Sequence, residues 1–400
     1  MPFTAGTTAG PAHQVAWEQV TAFRLHKQHL TKRLPPGALT SAALDIGGAQ
    51  AQLLPAAQTS IRARVGGVTL SDLDTAVWKK RTLAKAWCMR RTMFLVPSTD
   101  LAMFVRGSAL RAEREIRWVM GRGVKLEKIE KLVAAVLDAL DEPLTQSEMA
   151  VEVSRSAGYR VRYKAGGVGW GNKKNVPWVD FGPLALPANY LLHLAGARGV
   201  YCSGPNRGSE STFVRADRWV PHWKDMAEPR AQSELLKTYL RAHGPSTLSD
   251  FAIWTGMTAR DAKKIWTLGE PDMVRVDVEG WSASLLRDDL PALTNAWLES
   301  PTVRLLPFFD SFMLGHKSHR AIVGQAEHKL VYREAGWVSP VLLVDGKAAG
   351  VWSHRKKGEL LQVDVSPFAR ISPHIRSMVR EEADELGQFL GCSDIKTRML

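Results

Sequence analysis

Apolar residues recur at helical spacing through the first third of the chain. Val15, Val20, Phe23 and Leu30 share one face over residues 13–34, with Arg24, Lys27, Lys32 and Arg33 between them. Pro35-Pro36-Gly37 ends that helix. A second helix is expected from about Thr40 through the stretch Asp45-Ile46-Gly47-Gly48-Ala49-Gln50-Ala51-Gln52, and Pro55 then opens a third over residues 56–64. Residues 69–81 read as a helix with Ser71 as N-cap and Asp74 completing a capping box. Residues 85–90 and 92–96 read as strands. Residues 100–120 return to helix, with Arg111, Arg114 and Arg117 on one side and Glu113 and Glu115 able to pair with them. Short helices followed by a strand pair are the outline of a winged helix.

A weak repeat extends this outline. Pro143-Leu144-Thr145-Gln146-Ser147-Glu148-Met149-Ala150 matches Pro245-Ser246-Thr247-Leu248-Ser249-Asp250-Phe251-Ala252. Each places a threonine before a helix with an acid three residues on, so free N–H groups at the helix start are satisfied. Each follows an amphipathic helix, over residues 126–140 and 233–243. The second copy continues into a candidate recognition helix, 258–266, and a hairpin, 274–278 with 281–285, turning at Glu279-Gly280. The first copy has its own strand pair at 199–203 and 211–215. Three tandem winged-helix units are therefore expected. From Pro301 the pattern alternates at strand spacing, over 302–306, 340–344, 348–353 and 359–365, with a turn at Asp345-Gly346. This suggests a small β-barrel or sheet, closed by a helix over 372–390. The expected α+β division is a disordered leader at 1–12, winged helices at 13–125, 126–228 and 229–300, and a C-terminal β-barrel with its helix at 301–400.

Charge narrows the partner. The 400 residues carry a formal net charge of +13, and residues 1–130 hold 19 Lys and Arg against 9 Asp and Glu. Aromatics lie among the basic residues, which favours nucleic acid over a merely solvated surface. Residues 159–178 hold Arg160, Arg162, Lys164, Lys173 and Lys174 with four aromatics and no acid, and read as a loop that grips phosphates or as a plain exposed insertion. Gly166-Gly167-Val168-Gly169-Trp170-Gly171 lacks a preceding strand and a Gly-Lys-Ser/Thr ending, so it is not a nucleotide loop. With 45% hydrophobic residues and no run of roughly 18 apolar ones, the chain reads as globular, with no membrane span and no secretory signal. Cys88, Cys202 and Cys392 form no paired spacing, which points away from disulfides and zinc and towards the cytoplasm. His316 and His319 lack a third metal ligand, no cofactor is expected, and Asp310 reads as a structural acceptor.

Gln50 and Gln52 stand out in an almost wholly apolar run. By themselves they fit a helix with two polar positions. As neutral amides they cannot act as acid or base near neutral pH, but can orient a water or set amide oxygens against developing positive charge.

Taken with the repeated winged helices and Leu305-Leu306-Pro307-Phe308-Phe309-Asp310-Ser311-Phe312-Met313-Leu314-Gly315, this stretch resembles the AlkZ/YcaQ-type winged-helix DNA glycosylases over nearly the whole chain. The resemblance implies a C-shaped body of three winged helices and a β-barrel. It implies catalysis by Gln50 and Gln52, a water nucleophile, and removal of bulky N7-alkylated bases and interstrand crosslinks. Its Gln-x-Gln branch is associated with self-resistance to the crosslinking product azinomycin. A monofunctional glycosylase, monomeric on duplex DNA with alkylated or crosslinked guanine, is thus expected. The expected DNA contacts are Arg62, Arg90, Arg91, Arg111, Arg114, Lys164, Lys173, Lys174, His316 and Lys317. The alternative is a non-catalytic regulator built from the same winged helices.

Overall fold

The computed structural model of the chain describes residues 12–108, 110–164, 176–196 and 198–400. Its first unit opens with β1 (His13–Val15) and α1 (Trp17–Lys27), so the helix expected from residue 13 begins later. The reason is tertiary. Residues 13–15 pair in parallel with a distant strand, Met273–Val278, and β pairing overrides local helical spacing.

After α2 (Leu39–Asp45) the expected continuous helix stops. Gly47 and Gly48 take positive φ of 68° and 88°, and the chain turns into a two-residue strand, β2 (Ala49–Gln50). Only glycine fits this turn. A Cβ at Gly47 would lie 2.9 Å from the Trp254 ring, and one at Gly48 would lie 2.9 Å from the Val96 side chain. Then come α3 (Leu54–Arg62), with Pro55 in its first turn, and α4 (Leu70–Asp74). The cap of α4 is Thr69 with Asp72, two residues earlier than the spacing suggested. β3 (Leu83–Trp87) and β4 (Met93–Pro97) form an antiparallel hairpin, and β2 joins it on the free side of β4.

The helix expected over 100–120 is two, α5 (Leu101–Gly107) and α6 (Leu110–Met120). α7 (Leu126–Ala139), β5 (Leu144–Thr145) and α8 (Gln146–Ala157) follow, and Thr145 and Glu148 form the expected capping box. The segment expected as a basic loop instead supplies β6 (Arg160–Lys164) and β7 (Val176–Phe181), which pair with each other and with β8 (Leu184–Pro187). Alternation is visible there only after the strands are paired, because β6 is exposed along nearly its whole length. Next are α9 (Ala188–Ala195), the hairpin β9 (Tyr201–Arg207) and β10 (Glu210–Arg215), and α10 (Ala216–Trp219). The second half of the repeat gives α11 (Glu228–His243), α12 (Leu248–Thr255) and α13 (Ala259–Gly269), with Thr247 and Asp250 capping α12. β11 (Met273–Val278) and β12 (Trp281–Leu286) are the hairpin expected around Glu279-Gly280, and α14 (Leu290–Thr294) follows them.

The C-terminal unit runs β13 (Val303–Leu306), α15 (Ser311–Leu314), α16 (His328–Val331), β14 (Val341–Val344), β15 (Lys347–Lys357), β16 (Leu360–Pro367), α17 (Pro373–Phe389) and β17 (Asp394–Met399). Its five strands lie in the order β13-β14-β15-β16-β17, with no pairing between first and last. The sheet is therefore open and not the expected closed barrel. α17 makes the difference. It carries the chain across the sheet so that β17 joins β16 in parallel, and a parallel neighbour needs such a crossover.

The β2-β4-β3 sheet is buried on both faces. Ala86 and Phe94 pack with Phe251, Trp254 and Tyr239 from α11 and α12. Ala49, Ala51 and Leu95 pack with Ile61 of α3 and with Leu342, Trp352, Val363 and Leu386 of the C-terminal unit. Full burial of large apolar side chains such as these stabilises by about 1.5–3 kcal/mol each. The strand carrying Gln50 is thus clamped between two cores.

Candidate active site

Strand register decides which side chains meet at Gln50. Gln50 pairs with Phe94, which pairs with Ala86, so the three share a face. The Ala51 amide donates to the Met93 carbonyl at 2.7 Å, which extends the alternation to Gln52 and Thr92. Both amide oxygens are occupied. Arg90 Nη2 donates to Gln50 Oε1 at 2.9 Å, and Thr92 Oγ1 donates to Gln52 Oε1 at 3.0 Å. Arg90 also donates from Nη1 to the Trp254 carbonyl at 2.7 Å, which ties the β3–β4 turn to α12. Burial lowers the Arg90 pKa to about 10, so the group is charged at neutral pH. Gln50 is buried and Gln52 half-buried, and Leu53 beside them is exposed.

A buried network behind the pair fixes its backbone. Ser311 Oγ donates to the Ile46 carbonyl at 2.6 Å, just before the two glycines. The neighbouring Asp310 is wholly buried. It accepts from Arg64 Nη1 and Nη2 at 2.8 Å each, from Ser60 Oγ at 2.7 Å and from the Phe312 amide at 3.0 Å. Arg64 also donates to Gln28 Oε1 at 3.1 Å. Asp310 is thus the structural acceptor that the sequence suggested, and it joins α3 to the C-terminal unit.

A family described as DNA glycosylase AlkZ-like matches residues 43–389. The chain belongs to the AlkZ-like DNA glycosylase family. It is 28% identical over 403 aligned residues to an interstrand DNA cross-link repair glycosylase of Streptomyces sahachiroi, covering 97% of this chain and all of that one. The solved structure of DNA glycosylase AlkZ from Streptomyces sahachiroi superposes with a TM-score of 0.77 at 25% identity, over 97% of this chain and 100% of the other. The chain is a DNA glycosylase, a hydrolase acting on N-glycosyl bonds.

The AlkZ-like fold places the basic candidates in several settings. Arg62 is 3% exposed and bonded to Glu382 and Glu385, at 3.3 and 3.1 Å, so it is an internal ion-pair partner and not a DNA contact. Arg33 and Arg304 share Glu382. Burial pushes the Glu382 carboxyl up, but these three guanidiniums outweigh it and hold the pKa below its usual value. His316 is also no DNA contact. It is 7% exposed, its Nε2 lies 2.8 Å from the His243 carbonyl, and burial drives its pKa well down, so it is neutral. Arg90, expected on DNA, is committed to Gln50 and Trp254. Lys317 is exposed next to the Asp250 cap, and Lys164 is exposed with its ammonium 4.7 Å from the centre of the Trp178 ring. Arg114 is half-buried on α6. The side chains of Arg91 and Arg111, and all of Lys173 and Lys174, lie outside the described residues.

Sequence reasoning missed Thr92 and the Trp254 carbonyl. Thr92 is legible as a strand residue two places from Phe94, but the helical spacing of the Gln-x-Gln stretch offers no strand pairing to bring them together. A separate cavity of about 1220 Å³, lined by Trp17, Trp281, Trp297, Arg24, Lys317 and Arg320 among others, contains neither glutamine. Among the described residues, no helix is long and apolar enough to cross a membrane.

Proposed function

We propose that this AlkZ-like glycosylase hydrolyses the N-glycosidic bond of bulky N7-alkylguanine in duplex DNA and unhooks interstrand crosslinks, leaving abasic sites. Gln50 and Gln52 are the catalytic pair. The observation that carries the reading is this pair of neutral amides, held on one strand face by Arg90 and Thr92. N7-alkylguanine is already cationic, so its bond to the sugar is weakened and the base departs neutral without a strong acid. What remains is to hold a water at the anomeric carbon and support an oxocarbenium-like sugar, which amides can do. The name of the Streptomyces sahachiroi relative supports the crosslink as substrate.

The nucleophile is water. Among the described lysines, burial depresses the pKa of Lys85, as an amine nucleophile would need. Lys85 pairs with Leu95, however, so alternation turns it to the sheet face opposite Gln50.

The body that delivers DNA consists of three winged-helix units, 13–125, 126–228 and 229–300, each a set of helices with a following hairpin, and the C-terminal unit. They curve as a C around the duplex, with the protein acting as a monomer. Exposed Lys164 and Lys317 contact the phosphates, and Arg114 joins them.

The reading is tested on duplexes carrying one N7-methylguanine or one guanine–guanine N7 crosslink. Free base and a separated strand bearing an alkali-labile site are expected. Intact glycosidic bonds in both substrates at excess enzyme would overturn it.

A further inference from the structure

The two catalytic amides differ in what anchors them. A guanidinium has donors only, so Arg90 can bond Gln50 only when the carbonyl oxygen faces it. The Gln50 amide cannot turn over without setting donor against donor. Its Nε2 donors are thereby committed to the other edge of the amide. Thr92 sets no such rule, because a hydroxyl both donates and accepts, and the Gln52 amide keeps a partner in either orientation.

We propose that Arg90 is a positioning residue for glycosidic hydrolysis, locking Gln50 as a hydrogen-bond donor and leaving Gln52 to supply the acceptor oxygen. The proposal rests on the catalytic reading of the pair. In the reaction the bond from C1′ to the base nitrogen breaks, and its electron pair neutralises the N7-alkylated base. The attacking water accepts a hydrogen bond from Gln50 Nε2, donates one to the turned Gln52 Oε1, and keeps a lone pair for C1′. Once the new C–O bond has formed, the surplus proton leaves to solvent.

Arg90 carries other marks of a retained device. It stands at a positive φ of 52° in the turn between β3 and β4, a conformation L residues seldom keep. Among the described residues no carboxylate pairs with it; it donates to two neutral oxygens, and its guanidinium lies 5.1 Å from the centre of the Phe94 ring.

The test compares single-turnover excision of N7-methylguanine, DNA affinity and thermal unfolding in Arg90→Lys, Arg90→Gln and Arg90→Met. Loss of the lock should slow excision by about a hundredfold in Arg90→Met, with affinity within a few-fold of the parent. Lysine, donor-only, should recover at least tenfold over methionine. Glutamine, which can both donate and accept, should not. Where Arg90→Met fails to fold, the Lys against Gln comparison decides. Gln50→Glu, held to Arg90 as an ion pair and without a donor, should excise at least tenfold more slowly than Gln52→Glu. Equal rates for Arg90→Lys and Arg90→Gln, or for the two glutamate variants, would overturn the lock. Should Gln50→Ala and Gln52→Ala both excise normally, the catalytic reading itself falls. If both are inactive while Arg90→Met is normal, only the Arg90 assignment falls.

Discussion

Residue type alone misjudges a cation. Arg62 and Lys317 look alike in a basic sequence, yet one lies inside an ion-pair cluster and the other in solvent. Their substitutions should separate cleanly. Arg62→Ala removes one of the three guanidiniums on Glu382 and one of the two on Glu385, and should cost about 1.5–3 kcal/mol of stability, read by chemical denaturation, because charge-assisted hydrogen bonds to the buried Glu382 are lost while Arg33 and Arg304 still neutralise it. Once corrected for folding, its DNA affinity should match the parent. Lys317→Ala and Lys164→Ala should leave stability unchanged and each flatten the log–log salt dependence of DNA binding by about 0.9. A flattened slope in Arg62→Ala, or unchanged slopes in both lysine variants, would contradict the assignments. At this scale the sequence singled out Gln50, Gln52 and Asp310, because polar groups in an apolar run must be partnered or used. It misplaced Arg62 and His316, because burial of a charged or titratable group depends on acids and carbonyls far away along the chain, Glu382 for Arg62 and His243 for His316.

Elements were legible where local chemistry terminates them. The Thr145–Glu148 and Thr247–Asp250 caps and the hairpin around Glu279-Gly280 lie where the spacing puts them. The Gln-x-Gln stretch has apolar spacing that suits a helix, and Gly47-Gly48 carries no local signal strong enough to mark a stop. Those glycines permit a turn pressed between Trp254 and Val96, which no local rule reveals. Gly48→Ala should therefore lose about 1–3 kcal/mol, from its positive φ and the close Val96 side chain. Excision should fall with it, since β2 shifts against β4. Unfolding midpoints equal to the parent's would show that the turn tolerates a side chain.

Across the whole molecule, buried polar groups tie distant segments together, and two of them should make it acid-sensitive. His243 at the end of α11 and His316 before α16 are both neutral, because burial drives their pKa values well below the ordinary one. The unfolded chain takes up protons as pH falls through about 6.5 and the folded chain does not. Stability is therefore lost on acidification, by up to about 1.4 kcal/mol per pH unit for each histidine. Thermal unfolding between pH 7 and 5 should fall more steeply for the parent than for His316→Gln, and parallel curves would exclude His316 as a cause. In the C-terminal sheet the feature beyond sequence reasoning is its last strand, β17. β17 has strand alternation, but its parallel seat beside β16 depends on the crossover of α17.

In the proposed mechanism a water held by two amides, and no enzyme amine, takes the place of the base. The most direct measurement treats the reaction on a duplex with one N7-methylguanine with borohydride and separates the products on a denaturing gel. With water as nucleophile, the products are free base, a full-length strand that breaks only after alkali, and no protein-sized DNA band. A trapped covalent band that disappears on substitution of one lysine, with Lys85 the first to try, would contradict it and move catalysis away from Gln50 and Gln52.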